Sequence, residues 1–300
     1  MSRTARITFY ALIGVCGGLL AWPVTELPIY FQGSLYSQFL LSLVLGAVFG
    51  LLVGGVFGTS EGIIQKSAKK VFSGLFTGLL VGAVGGVLGF LTGQLVTNLI
   101  GPGLSGSTIT SIKGLAYPAV KAIGWAALGI FIGIVEGVRT KSFAKIRNGL
   151  IGGLLGGFVG GFVFETLIRV PAFMSFPALP RVIGYVILGL FIGLFYGLVE
   201  SRMAKATLLA LNGPSKGQEI LVTQAAMSIG GGDDADMTIA GYTQVAPEHA
   251  VIRRQKGEII LQDKNSKAGT FVNDKKITQT IVSDGDVIRI GDAQFLMKKK

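Results

Sequence analysis

The sequence predicts two parts of different fold class: an α-helical polytopic membrane domain of six spans, then a small all-β sandwich. Three observations carry this. Half of the residues are hydrophobic and 14% are charged, and the apolar residues crowd into positions 1–200. That is too apolar for a soluble domain and long enough for several membrane crossings. Glycines recur every four residues through these apolar runs. After residue 204 the pattern changes to short alternating runs broken by turn residues. The division is therefore 1–204 transmembrane and 205–300 soluble.

Apolar runs of roughly 20 residues mark the spans. They fall at Ile7–Trp22, Phe39–Gly62, Phe72–Leu95, Ala119–Val138, Asn148–Ile168 and Arg181–Val199. Arg3 and Arg6 precede the first run, as in a signal peptide. No Ala-x-Ala cleavage site follows, so an uncleaved first span is expected. Lys66, Lys69 and Lys70 lie between spans two and three. Arg139, Lys141, Lys145 and Arg147 lie between spans four and five. Arg202 and Lys205 follow span six. The positive-inside rule then puts both termini in the cytoplasm. The net charge of +11 fits loops beside anionic lipid and gives no reason to invoke nucleic acid. Tyr30, Phe31, Tyr36, Phe173 and Phe176, in the outer loops, suit the membrane interface.

The chain repeats itself. Gly58–Gly86 lies on Gly133–Gly161 without a gap, and the pairs include Glu61/Glu136, Gly62/Gly137, Lys66/Lys141, Ser67/Ser142 and Lys70/Lys145. Repeats of this kind define the architecture. Leu188-Gly-Leu-Phe-Ile-Gly in span six matches Leu128-Gly-Ile-Phe-Ile-Gly in span four. Three tandem glycine-zipper hairpins follow, spans 1–2, 3–4 and 5–6. A four-residue glycine step keeps to one helix face and lets two backbones touch. The expectation is tight helix packing, with pore lining as the alternative. These faces outnumber what one small bundle needs, so a homo-oligomer is expected.

Glu61 and Glu136 end their spans beside basic loops. Burying a carboxylate in a membrane is costly, so each is an ion-path candidate. The competing reading is pairing at the helix end with Lys66, Lys141 or Lys145. Tyr196 stands at the third repeat position and Glu200 follows it. The membrane part has no Asp and no His, the single cysteine is Cys16, and no metal-ligand spacing occurs. No catalytic residue, metal site or cofactor is expected, and the chain reads as a non-enzyme.

Short runs at Thr207–Leu211, Gln218–Val222, Ser228–Gly230, Met237–Ile239, Ala250–Arg254, Glu258–Gln262, Thr270–Val272, Asp286–Ile290 and Gln294–Met297 make the β-sandwich. The motifs Ser228-Ile-Gly-Gly, Pro247-Glu-His-Ala, Asp263-x-x-Ser266-x-x-Gly269-Thr270 and Asp284-Gly-Asp-Val-Ile-Arg-Ile-Gly291 resemble those of forkhead-associated (FHA) domains. The resemblance covers 206–300. It implies an 11-stranded sandwich whose apical loops bind phosphothreonine peptides, and a bacterial cytoplasmic (inner) membrane as the location.

Carried over residue by residue, the ligand motifs are incomplete. The arginine of the family's Gly-Arg falls on Gly231. The serine of Ser-x-x-His falls on Ala246, while His249 remains. The asparagine of Asn-Gly-Thr falls on Ala268, while Gly269 and Thr270 remain. Arg and Ser donate to phosphate, and Asn pins peptide backbone. Partner contacts are therefore expected at Gly231, Ala246, His249, Ser266, Lys267, Ala268 and Thr270 without ordinary phosphothreonine recognition, with Lys267 or Arg253 as partial substitutes. Two functions follow. One is a membrane scaffold or signalling component whose FHA-like module contacts a cytoplasmic protein. The other is a channel or transporter with Glu61 and Glu136 near its path and the module regulating it.

Overall fold

The computed structural model describes residues 1–30, 38–104, 112–173, 175–255 and 257–299. Phe31 and Tyr36, expected as interface anchors, lie outside these residues, as does the side chain of Tyr30. Among the described residues, six helices are long and apolar enough to cross a membrane. They are α1 (Arg3–Tyr30), α2 (Gln38–Gly58) continued by a short α3 (Ser60–Ile64), α4 (Ala68–Ile100), α5 (Ile112–Arg139), α6 (Phe143–Leu167) and α7 (Ala178–Met203). Most of them, counting α2 with α3 as one, are longer than their apolar runs, because polar residues continue the helix beyond the apolar stretch. Outward positions such as Phe72, Phe76, Leu80 and Phe143 expose large apolar side chains, as a lipid-facing surface would.

The helices neighbour one another in chain order and α7 closes the ring on α1. Aromatic side chains fill its centre: Tyr10, Phe57 and Tyr196 at one level, Phe49, Trp125, Phe164 and Tyr185 at another. The closest backbone approaches lie between α2 and α4, α5 and α6, and α7 and α1. A β-carbon on Gly50 would stand 2.1 Å from the Gly82 carbonyl oxygen, one on Gly133 2.1 Å from that of Gly149, and one on Gly189 2.0 Å from that of Gly14. The expected hairpins pair differently. Their helices are also neighbours, with mixed seams: side chains enter where Gly17 faces Val53 or Gly85 faces Phe131, while a β-carbon on Gly156 would stand 2.5 Å from Phe191 O. The glycines of the four-residue runs all meet a neighbour within this one chain. Packing inside one chain therefore occupies these glycine faces among the described residues.

The duplicated polar motif is a tight turn between helices. Lys66 and Lys141 have φ of 55° and 52°, the left-handed position that closes a helix. Ser67 N donates to Gly62 O and Ser142 N to Gly137 O, completing the closure. Ser67 and Ser142 then cap the next helix, accepting from Lys70 N and Lys145 N. Gly62 and Gly137 are required because the next helix crosses over them: a β-carbon would lie 2.3 Å from Val71 N and 2.4 Å from Ile146 N.

After α7 the chain enters eleven described strands, β1 (Ala206–Ala210) to β11 (Ala293–Lys299). Between them lie β2 (Glu219–Val222), β3 (Ala226–Gly230), β4 (Met237–Thr238), β5 (Ala250–Gln255), β6 (Glu258–Asp263), β7 (Thr270–Val272), β8 (Lys275–Ile277), β9 (Gln279–Val282) and β10 (Val287–Ile290). One sheet has the order β2-β1-β11-β10-β7-β8 and the other β4-β3-β5-β6-β9. Inward residues including Leu208, Ile229, Ile252, Leu261, Ile288 and Phe295 are fully buried between them. Two strands escape the sequence pattern, β8 (Lys275–Ile277) and β9 (Gln279–Val282). They are short and mostly exposed, so they carry little alternation.

Candidate functional site

The expected partner-binding residues divide into a buried frame and an outer rim. His249 leads into β5 (Ala250–Gln255) and is fully buried. Ala246 N donates to its Nδ1 at 3.1 Å, so the ring proton is on Nε2. That nitrogen faces Ser266 Oγ at 2.8 Å and Gly269 O at 3.1 Å. Ser266 Oγ donates to Asp263 Oδ1 at 2.7 Å and accepts from Gly269 N at 3.1 Å. Thr270, also buried, donates to the same Asp263 oxygen at 2.6 Å. Burial pushes the Asp263 carboxyl up, and its hydrogen bonds from Thr270 and Ser266 outweigh this and hold it below the ordinary range.

His249, Ser266 and Thr270 therefore direct their polar atoms to one another, to Asp263 and to the loop backbone. In this arrangement they shape the loops from beneath. Gly231 and Lys267 are exposed, and Ala246 and Ala268 half-buried. Those four form the rim, with no arginine, serine or asparagine among them. Gly230 beside it is compelled by packing, since a β-carbon would lie 1.9 Å from Pro247 O.

Lys276 on β8 joins this rim, and sequence reasoning missed it. Its Cε would stand 2.9 Å from a β-carbon on Gly269. The β7–β8 hairpin, with β7 at Thr270–Val272, sets Lys276 opposite Phe271. Asn273 and Asp274, both at positive φ, make the hairpin turn that was the available signal.

The second feature is the seam between helical bundle and sandwich. Lys70 reaches from α4 to Ala235 O at 2.6 Å and Thr238 Oγ1 at 2.8 Å. Gln65 Nε2 donates to Glu61 Oε1 at 2.7 Å and to Asp236 O at 3.2 Å. Lys69 meets Asp234 at 2.6 Å and, by that hydrogen bond, holds the aspartate below its ordinary range. Arg3 bonds Thr207 Oγ1 at 2.7 Å. The loop after β3 (Ala226–Gly230), which begins at Gly231, thus rests on the basic turn of the first repeat.

Beneath the seam lie three acids and three bases. Arg6 meets Glu61 at 2.8 Å and Glu200 at 2.9 Å. Glu136 meets Arg139 at 2.6 Å and Lys145 at 3.1 Å. Five of these side chains are under a tenth exposed and Arg139 is 11% exposed, and their formal charges cancel. Of the expected partners, only Lys145 pairs. Lys66 and Lys141 are exposed at their turns because the left-handed backbone turns them outward. Arg6, counted from sequence as an orientation signal, is the missed partner of two acids. Its Tyr10 neighbour, one turn on, also bonds Glu61.

The family model described as FHA domain matches residues 227–291. Residues 227–291 form an FHA domain. The chain is 33% identical over 86 residues to the glycogen accumulation regulator GarA of Mycolicibacterium smegmatis, covering 29% of this chain and 54% of that protein. It is 33% identical over 86 residues to the oxoglutarate dehydrogenase inhibitor of Corynebacterium jeikeium, covering 29% and 59%. The chain therefore spans about half the length of the curated relatives it matches. Among solved structures, the FhaA FHA domain complexed with the intracellular domain of Rv3910 is 31% identical. The alignment covers 31% of this chain and 99% of that one, with a TM-score of 0.29. These relatives are named as regulators or inhibitors, and FHA domains are protein-interaction modules.

Proposed function

We propose that the chain is a non-enzymatic integral membrane scaffold, in a signalling or assembly role, whose FHA domain contacts a cytoplasmic protein without needing phosphate. In this reading residues 1–204 are the six-span anchor of glycine-packed repeats and 205–300 the interaction module. Both termini are cytoplasmic in an inner membrane. The observation that carries it is the rim: Gly231, Ala246 and Ala268 offer no side-chain donor, while the frame of His249, Ser266, Asp263 and Thr270 is complete. Losing three polar contacts of roughly 1.5–3 kcal/mol each leaves a phosphothreonine peptide little to hold. The partner surface is then Gly231, Ala246, Lys267 and Ala268, joined by Lys276. The test is a titration of the full chain in nanodiscs with a phosphothreonine peptide library. Micromolar, phosphate-dependent binding overturns the reading.

A channel or transporter with a path past Glu61 and Glu136 is the second reading. Against it stand the cations that hold both acids and the aromatic filling of Tyr10, Phe57 and Tyr196. Flux in proteoliposomes that disappears in Glu61→Gln plus Glu136→Gln would restore it.

A further inference from the structure

The half of the bundle away from the FHA domain holds an open-mouthed cavity of about 220 Å³ between α2, α4 and α5, floored by α6 and α7. Interiors pack without voids much larger than a water molecule, and this volume equals about seven waters. Its lining joins an aromatic wall, Phe49, Trp125 and Tyr185, to two opposite charges, Lys121 and Glu165. Glu165 is 6% exposed. Trp125 Nε1 donates to one of its oxygens at 2.9 Å. The other stands 3.9 Å from Lys121 Nζ, beyond hydrogen-bond reach. Lys121 also lies 5.6 Å from the Tyr117 ring centre. The Lys121–Glu165 ion pair is longer than those of Glu61 and Glu136, and Arg169 lies within electrostatic reach of the same acid.

From this we infer that the cavity is a binding site for a small zwitterion with an apolar body. A buried charge is stable when it is both paired and hydrogen-bonded, and the Lys121–Glu165 gap leaves the second condition half met. A primary ammonium supplies donors to Glu165 and lies against the aromatic wall. An anionic oxygen accepts from Lys121. The pair is formally neutral, which a zwitterion preserves and a simple cation or anion does not. The apolar body runs along Phe49 and Phe90. Both a phosphoethanolamine lipid headgroup and a free apolar amino acid have this chemistry. The inference is independent of how the FHA domain is read.

Trp125 and Trp22 are the two tryptophans, so Trp22→Phe leaves a reporter in the cavity wall. The full chain with that substitution is placed in nanodiscs of phosphatidylglycerol. One arm adds phosphatidylethanolamine to the bilayer, a second adds free phosphoethanolamine, and a third adds leucine. Trp125 emission is expected to change saturably in at least one arm, and the arm identifies the source. Glu165→Gln and, separately, Lys121→Met are expected to weaken binding about tenfold, the loss of one charge-assisted hydrogen bond. Thr97→Phe, which fills the cavity, is expected to abolish it. Gel filtration identifies folded variants, and Lys121→Met, at a partly exposed position, reports if Glu165→Gln does not fold. No saturable change in any arm, or unchanged affinity in the folded charge variants, overturns the assignment.

Discussion

Arg6 Nη2 stands 2.8 Å from Glu61 Oε2, with both side chains under a tenth exposed. The same guanidinium holds Glu200, so one residue near the start of the chain ties the first span to the second and the sixth. Removing one member of a buried pair leaves an uncompensated charge. Arg6→Met is therefore expected to destabilise the bundle by about 3–5 kcal/mol. Arg6→Met with Glu61→Gln and Glu200→Gln should recover most of that. Thermal unfolding in detergent reads both.

Gly50→Ala should disrupt the α2–α4 seam, because the new methyl would meet backbone oxygen at 2.1 Å. Backbone cannot rotate away as a side chain does. Gly17→Ala meets Val53 at 3.3 Å and should cost much less. A lower melting temperature for Gly50→Ala than for Gly17→Ala is the expected order.

Lys70→Met should loosen the FHA domain from the bundle, since its ammonium satisfies acceptors on both sides of the seam. Lys69→Ala should have no measurable effect, because the Lys69–Asp234 pair is exposed and screened. Faster proteolysis at the 203–206 connection in Lys70→Met alone is the expected result.

The Asp263 carboxyl lies below its ordinary range in the folded domain. A depressed acid stabilises the fold above its unfolded pKa, about 3.9, and that contribution is lost as pH falls through the folded value. Acid melts of the FHA domain should show this limb. Asp263→Asn should flatten it and lower stability at neutral pH.

Restoring Gly231→Arg, Ala246→Ser and Ala268→Asn together should create phosphothreonine binding at least about a hundredfold tighter than the starting chain. A β-carbon at 231 meets Val245 O at 3.0 Å, so the loop must yield slightly. Absence of any gain would mean that loop shape, not missing donors, blocks the site.

Much of the molecule was legible in the sequence. Hydropathy located the six membrane-length helices, alternation located most strands, and motif spacing located the FHA loops. These are local signals. The pairing of glycine faces was not legible, because the same four-residue step suits any partner helix. Nor was the division of the apical residues. Ser266, expected as a partner contact, sits near Asp263 in the chain, but only folding brings His249 to its other side.

The repeat shows the boundary between the two most clearly. Sequence by itself located the connection: Glu-Gly-…-Lys-Ser-x-x-Lys marks a short basic link between two apolar helices, twice in the chain. It could not determine where the last lysine goes. Lys145 turns inward to Glu136, while its equivalent Lys70 leaves the bundle for the Ala235 carbonyl. Backbone geometry follows from neighbours in the chain, whereas a long side chain's partner is set by whichever compensating group the tertiary fold places within reach.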